Sequence, residues 1–373
     1  VGVERGTLLA GRYQVSGRLG RGGMGEVWSA RDRVLRRDVA IKLLRTGEGA
    51  SADLLARFER EAVAAAQINH PNVVALYDRG VHEGVLFLVM ELVDGVSLSA
   101  LIEVSGTVPL SRALEIGEQI CAALEATHDA GVVHFDIKPH NVMIAAAGLV
   151  KVVDFGIAGL ARAQQLSVAD SSRLEVVATR EYAAPEQFTD EHGDTRSDLY
   201  ALGGVLFAML TGRAPFGGHG PWAMVAAKIS GDAPRLDRVR PGLPPAFTDL
   251  VAQLLERDPA LRPQSARVVR ERLAELRADV DGDGDPDAGA GDDEGEGEDD
   301  GRYLGTTLVE AGLERAPAPI GVARPRPVGV RVAGGGGLRR RSAGVFQPSV
   351  LRGRALSCWA TCSRSSGLCT DRS

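Results

Sequence analysis

His134-Phe135-Asp136-Ile137-Lys138-Pro139-His140-Asn141, followed after a short apolar stretch by Asp154-Phe155-Gly156, is the part of the chain whose reading decides the fold. It sets a carboxylate, a primary amine, a side-chain amide and a second carboxylate in one fixed order. These types suit the handling of phosphate and of a divalent cation. A carboxylate can orient and deprotonate an attacking hydroxyl, two oxygen ligands can hold Mg²⁺, and a cation can spread developing charge. Asp136, Asn141, Asp154 and Lys138 have the chemistry for those four tasks.

Working outward, further motifs stand in order on both sides: Gly20-Arg21-Gly22-Gly23-Met24-Gly25-Glu26-Val27, Val39-Ala40-Ile41-Lys42, Arg60-Glu61-Ala62, Ala184-Pro185-Glu186 and Arg196-Ser197-Asp198. A glycine loop alone says little, but this many motifs in register say much. From about residue 13 to 276 the chain resembles a bacterial Ser/Thr protein kinase of the actinobacterial kind. The resemblance implies an α+β, bilobal protein-kinase fold: a small antiparallel-sheet N-lobe with one helix, a mainly helical C-lobe, and nucleotide in the cleft between them.

With 373 residues the chain is long enough for two lobes and an appendage. The organisation expected is an N-terminal extension (1–12), a kinase domain (13–277; N-lobe about 13–93, C-lobe about 94–277), an acidic Asp/Glu/Gly-rich linker (278–301) and an Arg/Gly/Pro-rich tail (302–373). The net charge of −6 averages that acidic tract against the arginine-rich tail, so each is read separately. The acidic tract has too little apolar surface to fold alone. Its start, Asp279-Val280-Asp281-Gly282-Asp283-Gly284-Asp285, matches the opening of a calcium loop, but Pro286 intervenes and the twelfth position is Ala290, so a solvated linker is preferred. The tail is expected to stay disordered, and its composition also resembles a shifted reading frame of a GC-rich gene. Its arginines could meet nucleic acid electrostatically, but it lacks interleaved aromatics, and no strong case for nucleic acid follows.

No apolar run of about 18 residues and no signal peptide are seen, which points to a cytoplasmic protein without a membrane segment. Cys121 lies in a helical pattern and Cys358, Cys362 and Cys369 in the tail; with no histidine beyond His219, a zinc site there is disfavoured. Only four of the 43 basic residues are lysines: Lys42, Lys138, Lys151 and Lys228. Two of them fall at phosphate positions, where a compact ammonium on a flexible stem fits better than a planar guanidinium.

Strands are expected over 12–19, 27–31, 38–44, 73–78 and 85–91. In the third, alternation puts Ala40 and Lys42 on one side, roughly 6.6 Å apart along the strand. Residues 53–67 read as a helix with Phe58, Glu61, Ala62 and Ala65 on one face. A carboxylate on that apolar stripe calls for a cation, and Lys42 is the natural partner; the alternative turns Glu59 inward instead. Beyond Gly95 the chain reads as helical, most clearly over 114–130. A hairpin follows, 142–145 and 149–153, turning at Gly148. Helices are expected over 199–210, too short to span a membrane and so buried, and over 246–256 and 266–276.

By resemblance, Leu19, Gly20, Gly22 and Gly25 belong to a turn lying over the phosphates, where a side chain would block the approach. Val27, Ala40 and Met143 sandwich the adenine, the backbone of Glu91 and Val93 binds its edge, and Met90 gates the rear pocket. Lys42, steadied by Glu61, aligns the phosphates; Asp136 is the base, Lys138 stands by the transferring phosphate, and Asn141 and Asp154 hold the metal. ATP and Mg²⁺, with Mn²⁺ an acceptable substitute, are the implied cofactors. The implied partners are proteins with Ser/Thr acceptors; autophosphorylation and a homodimer are compatible with the reading. Thr179, the Glu186–Arg262 pair and Asp198 are implied to be scaffold.

Two positions depart from the family pattern. Phe135 replaces the usual Arg before the catalytic Asp, and Ala178 the usual Gly before Thr179, which is itself the only Thr between Gly156 and Ala184. The expectation is an active ATP-dependent protein Ser/Thr kinase. The rival, motivated by those departures, is a nucleotide-binding pseudokinase scaffold.

Overall fold

A computed structural model describes the protein over residues 3–22, 25–44, 52–155, 181–189, 193–217 and 220–283. Alternating apolar side chains build the first lobe. Strands β1 (Leu8–Leu9), β2 (Tyr13–Gly22), β3 (Gly25–Asp32), β4 (Arg37–Leu44), β5 (Leu76–His82) and β6 (Val85–Glu91) form one sheet in the order β1-β2-β3-β4-β6-β5, each pair antiparallel. In the interior strand β4, Val39, Ile41 and Leu43 pack on one face with Val15, Trp28, Phe87 and Val89. Ala40 and Leu44 take the other face, with Leu88, Met90 and the residues Phe58 and Ala62 of helix α1 (Ala52–Ala66). The period of two carries Lys42 onto this second face.

The N-terminal residues contribute to this lobe. Leu9 is buried and paired with Tyr13, and Arg12 reaches Asp32 at 2.7 Å and Asp78 at 3.0 Å.

Backbone hydrogen bonds tie the lobes together behind the cleft. The Val74 N–H donates to Val152 O at 3.0 Å and the Val152 N–H to Asn72 O at 2.8 Å. Val152 lies in a second sheet, β7 (Gly95–Ser97), β8 (Val142–Ala145) and β9 (Val150–Val152). At the end of β6, Glu91 adds an ion pair to Lys151 of β9 at 2.9 Å. Here the structure corrects the sequence reading, which had helix directly beyond Gly95. Gly95–Ser97 is a strand on β8, and a Cβ at Gly95 would collide with the carbonyl of Ile144, so the pairing needs glycine there. Helix α2 (Leu98–Ser105) follows, capped by the Ser97 hydroxyl on the Ala100 N–H at 3.1 Å.

The second lobe is built on helices α3 (Leu110–Asp129), α4 (Thr195–Thr211), α5 (Pro221–Ser230), α6 (Leu236–Val239), α7 (Pro245–Leu254) and α8 (Ala266–Asp283). Every residue of α4 from Ser197 to Leu210 is buried, as expected for a helix that is apolar all round and stands at the centre of a core. Asp194 caps it, accepting the Arg196 N–H at 2.8 Å, and Gly212 ends it at φ 73°. Helix α8 is fastened to α3 by Arg267–Glu125 and Arg277–Glu118 pairs, both 2.7 Å. It continues past residue 277 through residues 279–283, the opening of the acidic tract; the rest of that tract, the tail and its three cysteines lie outside the described residues. Cys121 is buried in α3, and burial pushes its thiol up, away from reactivity. Among the described residues no helix is long and apolar enough to cross a membrane.

Candidate active site

Asp198 explains how the loop 134–141 is held. It lies inside the buried stretch of α4, where an ionised carboxylate must be met by donors. The loop supplies them: the His134 N–H reaches Asp198 Oδ2 at 2.8 Å and the Phe135 N–H reaches Oδ1 at 2.7 Å. His128 of α3 adds its Nε2 at 2.9 Å. These bonds hold Phe135 at φ 60°, a left-handed conformation costing about 1 kcal/mol or more for a residue with a Cβ. From the other side Gln187 Nε2 donates to Phe135 O at 2.9 Å. The His134 ring completes the frame. Nε2 lies 2.9 Å from Val153 O and therefore carries hydrogen, leaving Nδ1 to accept the Asp136 N–H at 3.1 Å.

On this frame three of the expected residues converge. Lys138 Nζ meets both carboxylate oxygens of Asp136, at 2.8 and 3.1 Å. Asn141 Nδ2 donates to Asp136 Oδ2 at 3.0 Å and to its carbonyl at 2.8 Å. With its nitrogen so engaged, Asn141 keeps its amide oxygen as the atom suited to a hard cation.

Lys42 and Asp154 form the second half. Lys42 is buried and its ammonium is 2.9 Å from Asp154 Oδ2. Sequence reasoning paired Lys42 with Glu61; among the described residues the ion pair of Lys42 goes to Asp154 instead. Lys42 is buried and Asp154 half-buried, so the Coulomb attraction between them is less screened than in open water. Burial pushes the Asp154 carboxyl up, but Lys42 outweighs it and the net displacement is below the ordinary carboxylate range. Glu61 does turn inward: it is half-buried beside Phe58 and Ala62, while Glu59 is exposed and meets Arg79 at 3.0 Å.

Of the residues expected around the nucleotide, Val27, Ala40, Met90 and Val93 pack together in the cluster on the face of β4 that carries Lys42. Val27 stands opposite Lys42, and Ala40 opposite Met90. Ala40 and Met90 are buried, Val27, Val93 and Met143 half-buried, and Leu19 is exposed at a bulge in β2. Glu91 is more committed than expected, because its N–H already donates to Ala75 O at 2.9 Å. The glycines divide. A Cβ on Gly20 or Gly22 would meet no atom of the described residues within 4 Å. Gly25, at φ 146°, would drive a Cβ into the Leu43 carbonyl, so β3 and β4 require it irrespective of any ligand.

Glu186 and Arg262 form the expected scaffold pair, bidentate at 2.7 and 2.9 Å and joined by the Ser197 hydroxyl at 2.6 Å. Burial raises the Glu186 carboxyl, but Arg262 and Ser197 prevail and hold it below its usual range. Gly23, Met24, Gly156, Ala178 and Thr179 lie outside the described residues.

The donor set fits Mg²⁺. Among the described residues no three His, Cys, Asp or Glu side chains cluster as a metal cage, and Mg²⁺ characteristically takes one or two carboxylates plus water and phosphate oxygens. Sequence reasoning gave no role to His134, Gln187 or His128. His134 stood inside the quoted motif and was legible by position; Gln187 and His128 act on residues 52 and 70 positions away, with no local signal.

Comparison with known proteins identifies the family. A family model described as "Protein kinase domain" matches residues 13–273. Serine/threonine-protein kinase PrkC of Bacillus subtilis is 37% identical over 261 residues, covering 70% of this chain and 40% of that protein. Serine/threonine-protein kinase PknB of Mycobacterium leprae is 40% identical over 276 residues, covering 73% of this chain and 43% of that protein. The chain therefore spans well under half the length of these relatives. Among solved structures, the PknI kinase domain of Mycobacterium tuberculosis superposes with a TM-score of 0.60 at 28% identity, covering 75% of this chain and 100% of that one.

Proposed function

The chain belongs to the protein kinase family, and from that premise we propose that it is a serine/threonine protein kinase, moving the γ-phosphoryl group of ATP to a Ser or Thr hydroxyl of a protein substrate. The observation that carries this reading is the convergence of Lys138 and Asn141 on Asp136. In the proposed roles Asp136 orients the acceptor hydroxyl and takes its proton, and Lys138 balances charge next to it. Mg²⁺ bound with the nucleotide would neutralise phosphate charge, held by Asp154 and the amide oxygen of Asn141; Mn²⁺ would serve in its place. Lys42 would turn from Asp154 to the α- and β-phosphates, with Glu61 as the carboxylate that steadies it. Leu19, Gly20, Gly22 and Gly25 would cover the phosphates. Val27, Ala40 and Met143 would enclose the adenine, Met90 would gate the rear pocket, and the Glu91–Val93 backbone would meet the edge, with the Val93 N–H as its donor.

The finer reading concerns regulation. Phe135 is neutral, so the loop beside Asp136 carries no cation that needs a phosphorylated activation segment to satisfy it. Autophosphorylation at Ser167, Ser171 or Ser172, which lie outside the described residues, would then create docking marks rather than an on-switch. A kinase drawing on ATP in this way would act in the cytoplasm, with 278–301 as linker and 302–373 as tail.

Incubation with labelled ATP, Mg²⁺ and a generic basic protein tests the proposal. Transfer that is abolished by Asp136→Asn is the expected result. Nucleotide binding without transfer, indifferent to Asp136→Asn, would instead favour the pseudokinase scaffold.

A further inference from the structure

Lys228 has no part in the chemistry above, and it is only 1% exposed. It projects from α5 to the backbone of the stretch that precedes Pro185. Its Nζ donates to Glu181 O at 2.5 Å and to Ala183 O at 2.7 Å. The rings of Tyr200 and Phe216 flank it at 5.4 and 5.6 Å. A lysine held so far from water is costly, and a leucine or methionine would pack there without that cost. What the lysine adds is two hydrogen bonds to carbonyls.

Those carbonyls belong to a strip that is hydrogen-bonded to the catalytic loop. The Ala184 N–H donates to Gln187 Oε1 at 2.9 Å, and Gln187 Nε2 donates to Phe135 O at 2.9 Å. Phe135 directly precedes Asp136. An unbroken path of hydrogen bonds and backbone thus runs from Lys228 on α5 to the proposed base. The strip is exposed at Glu181 and buried at Ala183 and Ala184, and its Ala184 end is tied through Gln187 to the residue that precedes Asp136. Resting on the kinase reading, we infer that Lys228 is a positioning residue for the acceptor polypeptide: it clamps the ledge at Glu181 and Ala183 along which the chain carrying the Ser or Thr hydroxyl lies.

The clamp does not depend on charge. Among the described residues Glu181, on the strip it binds, acts on it electrostatically, and Arg262 lies over the same Tyr200 ring at 4.9 Å. Burial pushes the Lys228 ammonium down to about 7, with Glu181 opposing. A neutral amine still has two N–H donors, one for each carbonyl.

The test compares the full chain with its Lys228→Met, Lys228→Gln and Lys228→Arg variants, using ATP and a basic protein acceptor. The acceptor KM of Lys228→Met should rise about tenfold while the ATP KM stays within about twofold, and Lys228→Arg should recover most of the loss. If Lys228→Met does not fold by circular dichroism, Lys228→Gln takes the same comparison. Unchanged acceptor KM, or equal changes in both KM values, would overturn the inference while leaving the kinase reading intact. A wild-type chain that transfers phosphate to no acceptor would overturn both.

Discussion

Asp198 grips Phe135 by its backbone: the Phe135 N–H lies 2.7 Å from Asp198 Oδ1 while the residue is held at φ 60°. Asp198→Asn would place an NH₂ where one carboxylate oxygen now accepts, leaving a buried N–H without an acceptor. The expected loss is about 2 kcal/mol of stability, with turnover falling and nucleotide affinity nearly unchanged. Chemical denaturation and steady-state kinetics check both, and a variant with wild-type turnover would refute the positioning role.

Replacing Lys42 by Met removes the cation ion-paired with Asp154. Turnover should fall by at least about a hundredfold, roughly 2.7 kcal/mol in barrier, with a smaller change in nucleotide affinity and a retained fold. Near-normal turnover would contradict the role proposed for Lys42.

Because Phe135 puts no charge beside Asp136, phosphatase-treated enzyme should keep most of its activity, and changing Ser167, Ser171 and Ser172 to Ala should matter little. Initial rates before and after treatment decide this. A fall of about tenfold, some 1.4 kcal/mol, would mean that another cation, such as Arg180, binds a required phosphate.

The acid limb of the stability curve should report Asp32. Its hydrogen bonds with Arg12 outweigh burial and hold the carboxyl at about 2 instead of 3.8. A depressed carboxylate contributes stability that is complete above the unfolded value and lost as pH falls towards the folded one. The advantage of wild type over Asp32→Asn should therefore be flat above about pH 5 and shrink between about pH 4 and 2. Melting temperatures of the pair across that range measure it, and a gap that stays constant on acidification would count against the Arg12–Asp32 assignment.

How much of this could be read from residues alone depended on how local the cause was. Strand β4 and helix α4 were legible because apolar periodicity is a property of the segment itself. The Asp136–Lys138–Asn141 cluster was legible because six consecutive residues of one loop carry it. Strand β1, two residues long, exists only because β2 pairs with it, and β7 only because β8 does. The carboxylate that meets Lys42 here was not legible for a related reason. Glu61 and Asp154 are both plausible carboxylates in sequence, and only the three-dimensional structure shows Lys42 at 2.9 Å from Asp154. Gln187 and Lys228 act across 52 and 45 residues, and nothing near them in the chain announces it.

All four lysine side chains are committed: Lys42 to Asp154, Lys138 to Asp136, Lys151 to Glu91 and Lys228 to two carbonyls. Acylating reagents need an amine that is both reachable and unprotonated, so the folded protein should resist side-chain acylation over its entire length, while the unfolded chain would react at four places. Mass added by an N-hydroxysuccinimide ester thus becomes a direct reporter of opening, and the order in which the four sites gain mass would rank the parts of the molecule by how readily they come apart.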